Sequence, residues 1–225
     1  FADKEVLINN AYEVSKYWFL AQEQITKTKK EFLFIKNHNA LVSIEGRDLT
    51  DEKYSLAFIY IVRDPRDVVV SLSKFAGGSI DRAIHELLHS PYSVTRANGV
   101  KELLSTWDLH VQSWINYHTV SRLFLKYEDL LNHTSESVLK IIEFINNITS
   151  NGILAKDIDI KKIIENTNFS NLQKLEQNDG FNEASKYSNF FRSGKQHQWK
   201  NILNKNQIKL IETKLGQIMK NFNYI

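Results

Sequence analysis

Cysteine is absent from the 225-residue chain. Neither a disulfide framework nor a thiolate metal site is therefore possible, and the fold must rest on an apolar core. Proline occurs only twice, so no proline-rich linker divides the chain. No apolar run is long enough to span a membrane. Charge of one sign is also lacking: 29 basic residues stand against 26 acidic ones, a net +3, and the basic residues are scattered. That pattern offers no track for nucleic acid. Glycine does not occur ahead of Gly46, which leaves the first segment without a glycine-rich turn to cradle phosphate oxygens.

What is present suits a soluble globular protein, with 42% apolar and 24% charged residues. The length fits one ordinary domain. Residue 1 is Phe rather than Met, so the expectation is a single domain over residues 1–225 truncated at its N-terminus. The expected compartment is the cytoplasm, with an N-terminal targeting segment left open.

Ala11, Val14, Trp18, Ala21 and Ile25 recur at helical spacing and predict one helix. The apolar run 32–35 predicts a buried strand, the longer run 57–62 a parallel strand covered on both faces, and 123–125 a third. Helical patterns lie over 67–75, 80–89, 101–118, 136–145 and 157–166. The last helix carries the stripe Ile208, Ile211, Leu215, Ile218 and Phe222. Strands alternating with helices predict an α/β architecture with a mainly parallel central sheet flanked by helices.

The segment Tyr60-Ile-Val-Arg-Asp-Pro-Arg-Asp-Val-Val-Val-Ser71 is the most informative. A buried strand ends at Val62, Asp64 can cap the next helix, and Pro65 suits its first position. Arg63 then stands at the carboxyl end of a parallel strand, where open α/β sheets bind ligands. Ser71 follows about two turns into the helix. A forked guanidinium and a hydroxyl so placed can grip one phosphate. The plainer alternative is that Arg63 pairs with Asp64 or Asp67 and only stitches the turn.

This segment resembles the 3′-phosphate-binding motif of cytosolic-type sulfotransferases, and three further stretches follow the order of that family. Phe34-Ile-Lys-Asn-His38 resembles its Lys-Thr-His motif, with Asn37 in place of Thr. Leu123-Phe-Leu-Lys-Tyr-Glu-Asp-Leu130 resembles its strand ending in Tyr-Glu-Asp. Phe191-Arg-Ser-Gly-Lys-Gln-His-Gln-Trp-Lys200 resembles its Arg-Lys-Gly loop followed by Trp-Lys, with Ser193 in place of Lys. The resemblance implies a P-loop-NTPase-like three-layer fold. It also implies sulfuryl transfer from 3′-phosphoadenosine 5′-phosphosulfate (PAPS) to the hydroxyl or amine of a small-molecule or glycan acceptor. The product is adenosine 3′,5′-bisphosphate (PAP), and no metal is needed.

By the same resemblance, His38 is the general base and Lys36 meets the negative charge of the transferring group. Arg63, Ser71, Arg192, Ser193 and Gly194 hold the 3′-phosphate, and Tyr127 sits near the adenine. The family's P-loop-like turn for the 5′-phosphosulfate is not found ahead of His38. Its dimer motif is degraded, with Asn204-Lys205 where Thr-Val is typical and Lys209 where Glu is typical. Phe75 and Tyr92 are candidates for lining the acceptor pocket.

Two other readings are open. The departures at Asn37 and Ser193 suit a non-catalytic nucleotide-binding or scaffold relic of the fold. His85-Glu-Leu-Leu-His89 matches the zinc-protease pattern, with Glu86 as base, though no third-ligand motif follows. The bland account of that segment is an amphipathic helix with Ile84, Leu87 and Leu88 inward.

Overall fold

A computed structural model describes residues 11–28, 32–89, 93–95, 101–149 and 158–225. The chain divides into two compact units, one of residues 1–58 and 86–122, the other of residues 59–85 and 123–225.

In the first unit, α1 (Ala11–Ser15) and α2 (Trp18–Thr28) replace the single helix expected over 11–25. The Ser15 hydroxyl is the local cause: it donates back to the Tyr12 carbonyl and accepts from Arg47 Nε, which ends the first helix there. The run 32–35 is a second correction. It forms no strand, and Phe32, Leu33, Phe34 and Ile35 are all exposed. Apolar composition favours burial but supplies no ladder partner, and none pairs with this run among the described residues. A short hairpin follows, with β1 (Ser43–Ile44) antiparallel to β2 (Arg47–Asp48).

The helix expected over 101–118 is shorter than its pattern. Its first part is β5 (Lys101–Leu103), antiparallel to β4 (Ser93–Thr95), with Ser93 opposite Leu103. Ser105 then takes a left-handed backbone, φ 59°, and Thr106 precedes α5 (Trp107–Ile115), its hydroxyl donating to Asp108 Oδ1 at 2.6 Å. Trp107, Val111 and Trp114 on α5 are buried, and the Trp114 ring packs 4.9 Å from Phe58.

In the second unit, β3 (Ala57–Val62, from Ile59 onward) lies beside β6 (Ser121–Lys126, from Leu123 onward) as a parallel pair. Strand β3 runs into α3 (Pro65–Ala76) through the cap expected: the Asp64 carboxylate accepts from Arg66 N–H at 2.9 Å, and Pro65 opens the helix. Gly77 closes it with φ 63°, where a Cβ would stand 2.6 Å from the Tyr187 ring. Helix α4 (Ile80–His89), of which residues 86–89 belong to the first unit, has the range its pattern predicts. Strand β6 passes directly into α6 (Tyr127–Asn132), and α7 (Thr134–Ile148) follows.

Beyond residues 150–157 lie α8 (Ile160–Thr167), where the pattern predicted 157–166, and α9 (Phe169–Asp179), which the pattern did not predict. Two more helices complete the unit: α10 (Trp199–Ile202) and α11 (Lys205–Asn221). Asn204 and Gln207 form a reciprocal capping box at the start of α11, both bonds 3.0 Å. Of the predicted stripe of α11, Ile211, Leu215 and Ile218 are buried and Ile208 and Phe222 half-buried; Met219, outside the stripe, is buried beside them, and α11 packs on α3. Ile211→Ala should cost about 2–5 kcal/mol of stability in chemical denaturation. The exposed neighbour Leu210→Ala should stay within about 0.5 kcal/mol.

Burial pushes His110 on α5 below its ordinary value of 6.5, although its hydrogen bond to the His38 carbonyl acts in the opposite direction. A folded pKa below the unfolded one means that the unfolded chain takes up the proton first. This group's stabilisation is therefore complete above about pH 6.5 and is lost as pH falls through the depressed value. Denaturation curves at descending pH from 7 should show that loss, and His110→Gln should remove its share of the slope. An identical slope in the variant would contradict the assignment.

Candidate active site

Parallel strands β3 and β6 end at the same edge, so the residues that follow them are neighbours. Arg63 follows β3 and Tyr127 follows β6. The Arg63 guanidinium carbon lies 4.4 Å from the centre of the Tyr127 ring, a cation–π contact that fixes the fork in place. Arg63 Nη2 also donates to the Lys195 carbonyl at 3.1 Å. The structure thus brings together Arg63, Tyr127 and the loop that carries Arg192, Ser193 and Gly194.

The two aspartates expected to compete for Arg63 are both engaged elsewhere. Asp64 takes Arg66: its Oδ1 accepts from Nε at 2.9 Å and its Oδ2 from Nη2 at 2.7 Å, with both side chains buried. Asp67 accepts from the backbone N–H groups of His197 at 2.6 Å and Trp199 at 3.0 Å. No carboxylate pairs with Arg63 among the described residues, and its buried Nε makes no hydrogen bond. The plainer alternative, Arg63 stitching its own turn, is therefore not what the geometry shows. A permanent positive charge is left uncompensated at the end of the sheet.

Arg66 is the hub of the supporting network. Burial opposes its charge, but the hydrogen bonds and charges of Asp64 and Glu212 outweigh that, so its pKa is raised. It also donates to the Tyr224 carbonyl at 2.9 Å and stacks 3.9 Å from the Trp199 ring. Buried Glu128 accepts from Asp64 N–H at 3.1 Å and from the Tyr224 hydroxyl at 2.9 Å. Burial, then the Glu128 carboxylate, push the Tyr224 hydroxyl well above its ordinary range. Sequence reasoning named Asp67 only as a possible partner of Arg63 and did not single out Arg66 or Tyr224. The only signal was a run of charges beside a strand predicted to be buried.

The remaining candidates are placed as follows. Ser71 is half-buried on the second turn of α3. Arg192 is exposed, with Nη2 donating to Gln198 Oε1 at 3.0 Å. Ser193 is half-buried beside Gly194. Gly194 has φ 57°, and a Cβ there would fall 2.5 Å from the Phe169 ring, so only glycine fits. Phe75 is half-buried on α3, and Tyr92 lies outside the described residues.

Lys36 and His38 belong to the first unit, whereas the six residues assigned to the nucleotide belong to the second. Lys36 is exposed and His38 half-buried. The Asn37 side chain accepts from Asn39 N–H at 3.1 Å, an Asx turn that bends the chain at His38. One face of α5 supports that turn. His110 Nε2–H donates to the His38 carbonyl at 3.1 Å and Trp114 Nε1–H to the Asn39 carbonyl at 3.1 Å. Ser113 Oγ accepts from Leu41 N–H at 2.9 Å.

In the zinc-protease pattern, His85 and His89 lie on the exposed side of α4, while Ile84 and Leu87 are buried as an amphipathic helix requires. No group of three or more possible metal ligands gathers among the described residues. No helix among them is long and apolar enough to cross a membrane.

Known proteins resemble the chain along most of its length. The chain is 25% identical to an amine sulfotransferase of Oryctolagus cuniculus over 73% of its own length and 54% of that protein's. It is 30% identical to a flavonol 3-sulfotransferase of Flaveria bidentis over 70% of its length and 54% of that protein's. The chain thus spans about half the length of the curated relatives it matches.

Two solved structures share its P-loop-like α/β fold. One is a mouse sulfotransferase complexed with PAP, with a TM-score of 0.56 and 22% identity, covering 77% of this chain and 61% of that one. The other is a retinol dehydratase in complex with androsterone and inactive cofactor PAP, with a TM-score of 0.63 and 20% identity, covering 96% and 64%. The model of the sulfotransferase domain family matches residues 4–223, across both units, and this chain belongs to that family.

Proposed function

We propose that the protein transfers a sulfuryl group from PAPS to a hydroxyl or amine of a small-molecule or glycan acceptor. The observation that carries this reading is the uncompensated Arg63 guanidinium, stacked on Tyr127 and tied to the loop at Lys195. A forked cation beside an aromatic ring suits a phosphate attached to a nucleoside. In this reading Arg63, Ser71, Arg192, Ser193 and Gly194 hold the 3′-phosphate, and Tyr127 lies against the adenosine. PAP is named as the ligand of both structural neighbours, which fits that assignment.

Sulfuryl transfer makes the same physical demands as phosphoryl transfer. The acceptor oxygen or nitrogen forms a bond to sulfur while the sulfur–oxygen bond to the donor's 5′-phosphate breaks, in line, with charge on the peripheral oxygens. The acceptor's proton goes to His38, and Lys36 faces the charge that develops on the sulfuryl oxygens. PAP and the sulfated acceptor are the products, so atoms and charge balance without a metal or a redox partner. The Asx turn at Asn37 and three bonds to α5 hold the backbone of residues 38–41, the kind of preorganisation a general base needs.

Calorimetric titration of the chain with PAP tests the anion site. Arg63→Ala should weaken binding by about tenfold to a hundredfold, the loss of one or two charge-assisted hydrogen bonds. Equal affinity in the variant would sink the assignment. His38→Ala should abolish transfer while leaving PAP affinity unchanged, and normal turnover in that variant would remove His38 from the reaction.

A further inference from the structure

Residues 190–199, the last part of the connection from α9 to α10, form a segment fastened at each end by a buried carboxylate. At its start, Glu176 on α9 accepts from the N–H groups of Phe190 at 2.6 Å and Phe191 at 2.9 Å. At its end, Asp67 on α3 accepts from those of His197 at 2.6 Å and Trp199 at 3.0 Å. Asp67 is 1% exposed and Glu176 9%. The four amides lie outside regular ladders, and a buried N–H without an acceptor is costly. His197 also takes a left-handed backbone, φ 58°, which a non-glycine residue adopts only when its surroundings hold it there. Arg192, Ser193, Gly194 and Lys195 stand between the two fastenings.

We propose that Asp67 and Glu176 are positioning residues that suspend this loop so that its cationic and backbone donors converge on the anion held by Arg63. The proposal rests on the nucleotide-site reading above. Lesser struts act in the same direction. Gln173 Nε2 donates to the Phe191 carbonyl at 2.8 Å, and Phe181 packs 4.7 Å from the Phe190 ring and 5.2 Å from that of Phe191.

The chemistry of a carboxylate matters here. Both its oxygens accept, so one side chain serves two N–H groups. An amide would turn an NH2 donor against one of them. The two loop amides also absorb the charge of Asp67, which stands four residues from Arg63 in the same segment. A carboxylate acting only as background charge would make its neutral variant bind an anion more tightly, whereas a positioning carboxylate would make it bind more weakly.

The test compares calorimetric affinities for PAP and adenosine 5′-monophosphate, whose ratio isolates the contribution of the 3′-phosphate. Asp67→Asn and Glu176→Gln should each reduce that ratio about tenfold, roughly one charge-assisted hydrogen bond's worth. Monophosphate affinity should stay as it was. Hydrogen exchange without nucleotide should show residues 190–199 opening faster in both variants. A ratio unchanged or raised in the folded variants would overturn the proposal. An unsubstituted chain that binds both nucleotides equally would overturn the nucleotide site itself, a distinct result. Should either variant fail to fold, residue-resolved exchange of the unsubstituted chain decides. The amides of Phe190, Phe191, His197 and Trp199 must be protected, and fast exchange there would refute the fastening.

Discussion

The buried pairing of Arg66 with Asp64 is the interaction on which the site depends. Residues 63–67 read Arg-Asp-Pro-Arg-Asp, four charges in five positions at the mouth of a parallel strand. Burying a guanidinium and a carboxylate is favourable only if every donor and acceptor is used. Here the demand is met by Asp64, Glu212, the Tyr224 carbonyl and the Trp199 ring around one arginine. With Asp64 so occupied, and Asp67 filled by loop amides, Arg63 has no carboxylate partner among the described residues. The sequence order could equally have paired Arg63 with either aspartate. The α3 cap decides otherwise, because Asp64 turned inward to accept the Arg66 N–H also meets the Arg66 side chain.

The two units contribute different kinds of rigidity. In the second, rigidity is electrostatic, with carboxylates fastening backbone and side chains that are distant in sequence. In the first it comes from one helical face. His110, Ser113 and Trp114 are spaced i, i+3 and i+4 on α5, so they present three hydrogen-bonding groups to one short stretch of chain, residues 38–41. Asn37 adds a local bend. A histidine in such a turn has its backbone fixed from outside the turn, which is how a loop residue acquires the precision of one on a helix.

What was legible in the sequence follows from how local its cause is. The passage from β3 to α3 could be read because a continuous apolar run, an aspartate cap and a first-turn proline all act within a few residues. Helix α4 and the stripe of α11 were legible through their period. The run 32–35 was misread because strand formation needs a partner that composition cannot name. The break at Ser15 was missed because it depends on Arg47, and β5 because it depends on β4. The site divided in the same way. Arg63 was legible from its position after a strand. The role of Asp67 was not, because the amides it binds lie 130 and 132 residues further along.

The most direct test of the central claim is a crystal structure of the chain with PAP bound. The account predicts the 3′-phosphate within hydrogen-bonding distance of the Arg63 guanidinium and the adenosine beside Tyr127. It also predicts Asp64 still on Arg66 and Asp67 still on the amides of His197 and Trp199. A nucleotide bound away from Arg63, or Arg63 turned to pair with Asp64 or Asp67, would contradict it.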